Sequence, residues 1–174
     1  MFPFLVACYL LLIAVVAGCR PETISSDWQR VEPPVQAPEF SLPQAGGGSV
    51  SLADLRGKVV IMEFWATWCG PCRQAMPSLE VIFKRYRHQG VTVLLVNQGE
   101  TEEVVRKWAK QRFTAPILLD QDQQVGLRYS VHSLPRLMII DQGGKLVYTH
   151  SGYGGGLEYN LKLILNDLLG AAHG

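Results

Sequence analysis

The sequence predicts an α/β fold in which helices flank a mixed central sheet. Residues 58–64 and 91–96 are two runs rich in valine and other large apolar residues, and the segment between them carries apolar residues at helical spacing. This is the pattern of two parallel strands joined by a helix. Nearer the C-terminus, Asp141-Gln142-Gly143-Gly144 separates two further apolar runs and indicates an antiparallel hairpin. A parallel unit combined with an antiparallel hairpin makes the sheet mixed.

The first regular elements in the chain predict a β-hairpin extension on the N-terminal side of this fold. Residues 39–42 and 50–52 read as short strands around the turn Gly46-Gly47-Gly48. Residues 53–56 then form a helical turn that Gly57 closes.

The remaining segments supply the helices that cover the sheet. The helix after Cys72 shows an apolar stripe consisting of Met76, Leu79, Ile82, Phe83 and Tyr86. Residues 101–111 form a second helix, because Thr101 is a good N-cap and acidic residues fill the first turn. The other predicted elements are a strand at 117–119, a helix at 123–129, hairpin strands at 137–140 and 145–148, and a final helix with Leu157, Leu161, Ile164, Leu165 and Leu168 on one face.

Length and charge limit the organisation to one folded domain with appendages. The chain has 174 residues, of which 48% are apolar, and this is enough for a domain of about 100–150 residues. We place that domain at residues 38–170, followed by a tail at 171–174. A net charge of +1 provides no basic field for nucleic acid, so nucleic acid is not an expected partner.

Residues 2–19 form an uncharged apolar run, which predicts a membrane-targeting segment at residues 1–19. Three interpretations remain open: a lipoprotein signal, a retained membrane helix and a plainly cleaved signal peptide. Ala17-Gly18 before Cys19 resembles the bacterial lipobox, in which the cysteine becomes lipidated, although no Lys or Arg precedes the run. All three interpretations place the domain outside the cytoplasm. A lipoprotein signal would anchor it to the membrane by a lipid on Cys19, and a retained helix would anchor it directly.

Residues 20–37 are predicted to be a flexible tether between this segment and the domain. The stretch contains Pro33-Pro34 and several polar residues without sustained periodicity. The alternative is that Trp28 and Val31 pack against the domain.

Cys69 and Cys72 are the candidate reactive residues. Gly70-Pro71 turns the chain from the strand at 58–64 directly into a helix, whose first N–H groups point back at Cys69. Such positions lower a cysteine pKa from about 8.5 to about 3.5–7.5. A purely structural disulfide across so short a loop contributes only about 2 kcal/mol, and the four histidines lack zinc-ligand spacing, so a redox pair is favoured and no metal is expected.

The ordered set of motifs resembles one family of thioredoxin-fold proteins. The motifs are Ala37-Pro38-Glu39-Phe40-Ser41-Leu42, Leu55-Arg56-Gly57-Lys58-Val59-Val60, Phe64-Trp65-Ala66-Thr67-Trp68-Cys69-Gly70-Pro71-Cys72, Met76-Pro77, Leu134-Pro135 and Ile139-Ile140-Asp141. Together they resemble the membrane-tethered TlpA/ResA-like thiol-disulfide oxidoreductases, over about residues 37–169. The resemblance implies a thioredoxin fold.

This resemblance also implies a substrate groove around the cysteines. Pro135 takes the place of the family's cis-proline beside Cys69, and the backbone of Leu134 pairs with an extended client chain. Gly152 resembles the glycine of a third loop that lines the groove, and Trp68, Gly70 and Pro71 complete it. Arg136 replaces a small hydroxyl residue, so it is either solvated, selective for acidic partners or close enough to stabilise the thiolate.

Glu63 is the candidate proton acceptor. It stands six residues before Cys69, where thioredoxin carries a buried carboxylate, and burial in an apolar strand raises a carboxyl pKa. The alternative is a glutamate that faces water at the end of the strand. Many family members carry an acidic residue three positions after the second cysteine, where this chain has Ala75. Glu63 is therefore expected to be the sole carboxylate at the site.

The expected activity is reduction of disulfides in partner proteins by the Cys69 and Cys72 dithiol, without another cofactor. Cys69 is the nucleophile and Cys72 the resolving thiol. Family resemblance adds a membrane thiol carrier as electron donor and apocytochrome c as a client, with the chain acting as a monomer. The alternatives are copper delivery on the same fold and a thiol peroxidase.

Overall fold

The computed structural model describes residues 23–109 and 112–170. These residues form eight strands and four α-helices, named below in chain order. The strands are β1 Trp28–Gln36, β2 Ser41–Pro43, β3 Ser49–Ser51, β4 Val59–Trp65, β5 Val91–Gln98, β6 Ile117–Asp120, β7 Arg136–Ile140 and β8 Lys145–Ser151. The helices are α1 Gly70–Tyr86, α2 Glu102–Ala109, α3 Gln124–Arg128 and α4 Leu157–Gly170, and Leu52–Leu55 and Arg87–Gln89 are 3-10 turns.

Six strands form the predicted mixed sheet, in the order β1-β8-β7-β4-β5-β6. The parallel pairs are β4 with β5 and β5 with β6, whereas β7, β8 and β1 join by antiparallel pairing. All seven residues of β4 are buried, because this strand lies inside the sheet with both faces covered. The hairpin around residues 141–144 and the parallel unit of β4, α1 and β5 are therefore confirmed.

Alternate residues of β4 serve two separate cores. Val59, Ile61 and Trp65 belong to the larger core, which contains both cysteines and the inner faces of α1, α2 and α4. Val60, Met62 and Phe64 belong to the smaller core, which the β2 and β3 hairpin and α3 cover. Because side chains of a strand alternate between faces, the larger core marks the face of the sheet on which the cysteine pair lies.

The flexible tether predicted at residues 20–37 is wrong for residues 28–36, half of its length. Residues 28–36 form β1, an edge strand that pairs with β8, and Trp28 is buried in the larger core. Pro33 and Pro34 lie where the register shifts between Arg30 and Val35, and an edge strand tolerates proline because its outer N–H groups need no partner in the sheet. An edge strand and a linker can therefore both be rich in proline and polar residues, and this shared composition explains the error.

The predicted N-terminal hairpin forms its own two-stranded sheet from β2 and β3. It also covers the free edge of β6, since Gln44 bridges to Leu118 and the Ala45 N–H donates to the Ile117 carbonyl at 2.9 Å. The helix predicted at 101–111 is α2, whose last two predicted residues lie outside the described part. The segments at 1–22 and 171–174, with Cys19, also lie outside it, and no helix among the described residues is long and apolar enough to cross a membrane.

Candidate active site

Cys69 and Cys72 lie where β4 has ended and α1 begins. Cys69 is the N-cap of α1, and its sulfur accepts a hydrogen bond from the Cys72 N–H at 3.2 Å. A disulfide joins the two cysteines, whose Cα atoms are 5.3 Å apart. Gly70 and Pro71 are the first two residues of the helix. Proline is tolerated there because N–H groups in the first turn have no acceptor within the helix. A helix N-terminus with a free N–H aimed at sulfur stabilises negative charge on Cys69.

The two sulfurs differ little in exposure, and the tryptophan before them is open. Cys69 is 4% exposed and Cys72 is fully buried, so solvent reaches the pair only through Cys69. Trp68 is 71% exposed. It lines a cleft of about 360 Å³ together with Gln98, Gly99, Glu100, Gln123, Val131, His132, Ser133 and Leu134.

The structure brings Leu134, Pro135 and Gly152 to the cysteine end of the sheet. The Leu134 to Pro135 peptide bond is cis, as the resemblance implied. Arg136 pairs in register with Phe64 on β4, so Pro135 lies level with the end of the strand that leads to Cys69. The Gly152 N–H donates to the Pro135 carbonyl at 2.9 Å, and Gly152 has a φ of +80°, which favours glycine. The predicted third loop therefore adjoins the proline loop.

Arg136 is held against β8. Its Nη2 donates to Thr149 Oγ1 at 3.0 Å and its Nη1 to Ser151 Oγ, and burial lowers the pKa of its guanidinium. These bonds direct the side chain along the neighbouring strand. Arg136 is therefore held in place while partly exposed, and its predicted roles toward acidic partners and the thiolate stay predictions.

Glu63 is fully buried on the face of the sheet that carries the cysteines. It alternates with Val60, Met62 and Phe64 of the opposite face, and its in-register neighbours Leu95 and Leu137 belong to the larger core with Cys72. Neither carboxyl oxygen has a hydrogen-bond partner within the described residues. Burial raises the pKa of Glu63 well above its ordinary value, which makes the water-facing alternative wrong.

Ala75 and Glu100 complete the surroundings of the cysteine pair. Ala75 is buried in the larger core. Glu100, which the sequence reasoning missed, accepts hydrogen bonds from the Thr67 N–H at 2.7 Å and the Thr67 hydroxyl at 2.6 Å, and from Asn97 Nδ2 at 2.7 Å. These bonds hold the turn that precedes Cys69, so the prediction that Glu63 is the sole carboxylate at the site is wrong. Its position was the available signal, because Glu100 comes two residues after the end of β5 and the carboxyl ends of parallel strands meet at one edge of the sheet.

A metal centre finds no support in the described part of the chain. Its residues include no group of three or more His, Cys, Asp and Glu side chains arranged to hold a metal ion. The chemistry that the Cys69 and Cys72 pair itself supports is thiol-disulfide exchange.

Comparison with known proteins agrees with this chemistry. The AhpC/TSA family model matches residues 34–149. Thiol-disulfide oxidoreductase ResA of Bacillus subtilis (strain 168) is 35% identical over 145 residues, covering 83% of this chain and 76% of ResA. A structure from Chlorobium tepidum, described as a thiol:disulfide interchange protein DsbE, is 31% identical with a TM-score of 0.74, covering 78% of this chain and 96% of that one.

A third relative is the pneumococcal exposed lipoprotein thioredoxin Etrx1 of Streptococcus pneumoniae strain TIGR4. Its structure is 30% identical with a TM-score of 0.68, and the match covers 75% of this chain and all of that one, 100%. These matches confirm the thioredoxin fold and the resemblance to ResA-like proteins. The chain therefore belongs to the AhpC/TSA family of thioredoxin-like proteins and is a thiol-disulfide oxidoreductase.

Proposed function

We propose that the chain acts outside the cytoplasm as a membrane-anchored reductase of disulfides in partner proteins. The observation that carries this proposal is the hydrogen bond from the Cys72 N–H to the Cys69 sulfur at the start of α1. It stabilises a Cys69 thiolate, which is the nucleophile that disulfide reduction requires. Pro135 and Gly152, which the family resemblance assigns to the client groove, lie at the same end of the sheet as that sulfur and support a client site there.

The reaction proceeds in two exchanges that conserve electrons. The Cys69 thiolate attacks one sulfur of the client disulfide, forming a mixed disulfide and releasing the first client thiolate, which takes a proton from water. Cys72 then loses its proton and attacks the Cys69 sulfur, and the second client thiolate leaves. The client gains two electrons, and the protein ends with the Cys69 to Cys72 disulfide.

Glu63 takes the proton from Cys72 in the second exchange. A carboxyl of ordinary pKa is a poor acceptor for a thiol proton, because the thiol pKa of about 8.5 lies far above it. Burial raises the pKa of Glu63 and so narrows that gap. Ala75, at the position of the acidic residue found in many relatives, cannot take this role, and the oxygens of Glu100 are already engaged by Thr67 and Asn97.

The direction of the reaction follows from the residues between the cysteines. Gly70-Pro71 matches thioredoxin, whose potential of about −270 mV favours reduction, more than a strong oxidant near −120 mV. A membrane thiol carrier supplies two electrons to restore the dithiol, and apocytochrome c with oxidised haem-attachment cysteines is one client class. The protein works as a monomer without another cofactor.

The cellular location rests on the N-terminal sequence. The apolar run at residues 2–19 ends in Ala17-Gly18-Cys19, and a relative matched over 75% of this chain is described as an exposed lipoprotein. Both observations support a lipid on Cys19. Metabolic labelling with a palmitate analogue tests it, since Cys19→Ser should abolish labelling.

Trapping tests the reaction and its direction together. Cys72→Ser should accumulate mixed disulfides with client proteins, because the resolving thiol is absent, whereas Cys69→Ser should trap none and should not reduce insulin. Accumulation of mixed disulfides on Cys69→Ser would contradict the assignment of the nucleophile. Peroxide consumption that survives in Cys72→Ser, or Cu(I) binding that persists at physiological thiol levels, would favour the peroxidase or the copper-delivery alternative.

A further inference from the structure

The chain enters the domain through a small polar cluster that the reaction described above does not use. The cluster consists of Ser25, Asp27 and Trp28 before and at the start of β1, with His150 on β8 and Asn160 on α4; we call it the N-terminal clasp. The Ser25 N–H donates to Asn160 Oδ1 at 2.8 Å, and the Ser25 hydroxyl donates to Asp27. His150 and Asn160 are both buried.

His150 is the centre of the clasp. Its Nε2 lies 2.8 Å from Asp27 Oδ2, and its ring lies against Trp28 with centroids 4.8 Å apart. Hydrogen bonds from Ser25 and then from His150 hold the pKa of Asp27 below its usual value. The Nδ1 atom of this buried imidazole has no hydrogen-bond partner within the described residues. Loss of Asp27 would leave Nε2 without a partner as well. The two residues therefore depend on each other although 123 positions separate them.

The clasp adjoins the loop at residues 152–156, which we call the groove loop. A Cβ built on Gly154 would lie 3.8 Å from Asp27 Oδ2, and Asn160 Nδ2 donates to the Gly156 carbonyl at 2.9 Å. The same loop begins at Gly152, whose N–H donates to the Pro135 carbonyl. The clasp and the proline loop thus hold the two sides of one glycine-rich segment.

The residues just before the groove loop are held on both faces of the sheet. Arg136 bonds Ser151 on one face, and Asp27 bonds His150 on the other. A loop with glycine at four of its five positions has little stiffness of its own, so its position depends on these attachments. Loss of one attachment allows the loop to move away from Pro135.

We propose that Asp27 and His150 are positioning residues for client proteins, acting by holding the groove loop beside Pro135. This inference rests on the proposed function of the groove as the client site. Neither residue touches the reacting sulfurs, so the clasp affects the recognition of a protein disulfide more than the intrinsic reactivity of Cys69.

Steady-state kinetics on the full chain, kept reduced with dithiothreitol, tests the proposal. Asp27→Ala should raise the KM for insulin about fivefold, the effect of losing one partly buried hydrogen bond, with kcat nearly unchanged. The rate at which the chain, reduced beforehand and freed of dithiothreitol, reduces a small aromatic disulfide should not change, because that substrate does not fill the groove. Asp27→Asn keeps one oxygen acceptor and should restore most of the affinity, and His150→Phe should reproduce Asp27→Ala while still packing on Trp28.

Hydrogen exchange provides an independent readout of the groove loop. Amides in residues 152–156 should exchange faster in Asp27→Ala, and they should keep wild-type protection in Asp54→Ala, which removes an exposed carboxylate from the hairpin side of the domain. Equal slowing of insulin and the small disulfide, or unchanged amide exchange, would overturn the role of the clasp. A wild-type chain that fails to reduce insulin would contradict the proposed function, while the exchange measurement would still decide the clasp.

Discussion

Replacing Glu63 by leucine should stabilise the folded protein. Glu63 is fully buried, neither of its oxygens has a hydrogen-bond partner within the described residues, and its neighbours across β4 are Leu95 and Leu137. An unpaired polar group in such a setting costs about 1–3 kcal/mol in protein mutational data. Glu63→Leu should therefore raise the free energy of unfolding by about 1–3 kcal/mol even at a pH where the carboxyl is protonated.

This stabilisation should grow with pH. Burial raises the folded pKa of Glu63 well above its unfolded value, so between the two pKa values the folded state binds one proton more than the unfolded state. The contribution of that proton is fully present below the unfolded pKa and is lost as pH rises through the folded pKa. The wild-type protein should lose about 1.4 kcal/mol of stability per pH unit across this window, and Glu63→Leu should remove the loss.

Urea unfolding of the oxidised protein from about pH 5 to about pH 8 measures the effect, with an unchanged m-value as a check on two-state behaviour. Glu80 is the matched control. Burial would raise the pKa of Glu80, but hydrogen bonds from Thr114, Ala115 and Lys84 hold it below its usual value. Glu80→Gln should therefore destabilise by an amount that does not change across this range. A constant gap between wild type and Glu63→Leu, or a less stable leucine variant, would refute the reasoning.

Two further substitutions test how the domain holds its active site. Glu100→Ala removes the acceptor of both Thr67 hydrogen bonds and should cost about 2–3 kcal/mol of stability and slow insulin reduction, whereas Glu103→Ala on the exposed face of α2 should do neither. In Gly126→Ala the new Cβ would lie 2.2 Å from Gln98 Oε1, so thermal unfolding should show a loss of about 1–3 kcal/mol. An Ala variant at Gly126 with wild-type stability would contradict this geometry.

The central part of the site was predictable because its signals are local. The apolar run of β4, the turn at Gly70-Pro71 and the helical stripe of α1 lie within about thirty consecutive residues, and each follows from backbone preferences and side-chain periodicity. The burial of Glu63 was one of two interpretations of the same run, and the structure decided it by covering both faces of the strand.

The position of β1 depended on a partner far along the chain. Its proline and polar residues suit an edge strand and a linker equally, and only pairing with β8 distinguishes the two. The direction of Arg136 was equally undetermined, because the hydroxyl groups that accept its hydrogen bonds belong to the neighbouring strand.

The sequence by itself therefore determined the fold class and the reactive cysteine pair, and its resemblance to one family identified the proline loop and the candidate carboxyl Glu63. The tertiary structure decided which side chains hold these parts in place: Glu100 on Thr67, 33 residues away, and Asp27 on His150, 123 residues away. A strand or helix repeats its pattern over neighbouring residues and so leaves a periodic signal. A single hydrogen bond between distant segments has no period, and it exists only after the sheet has brought the two segments together.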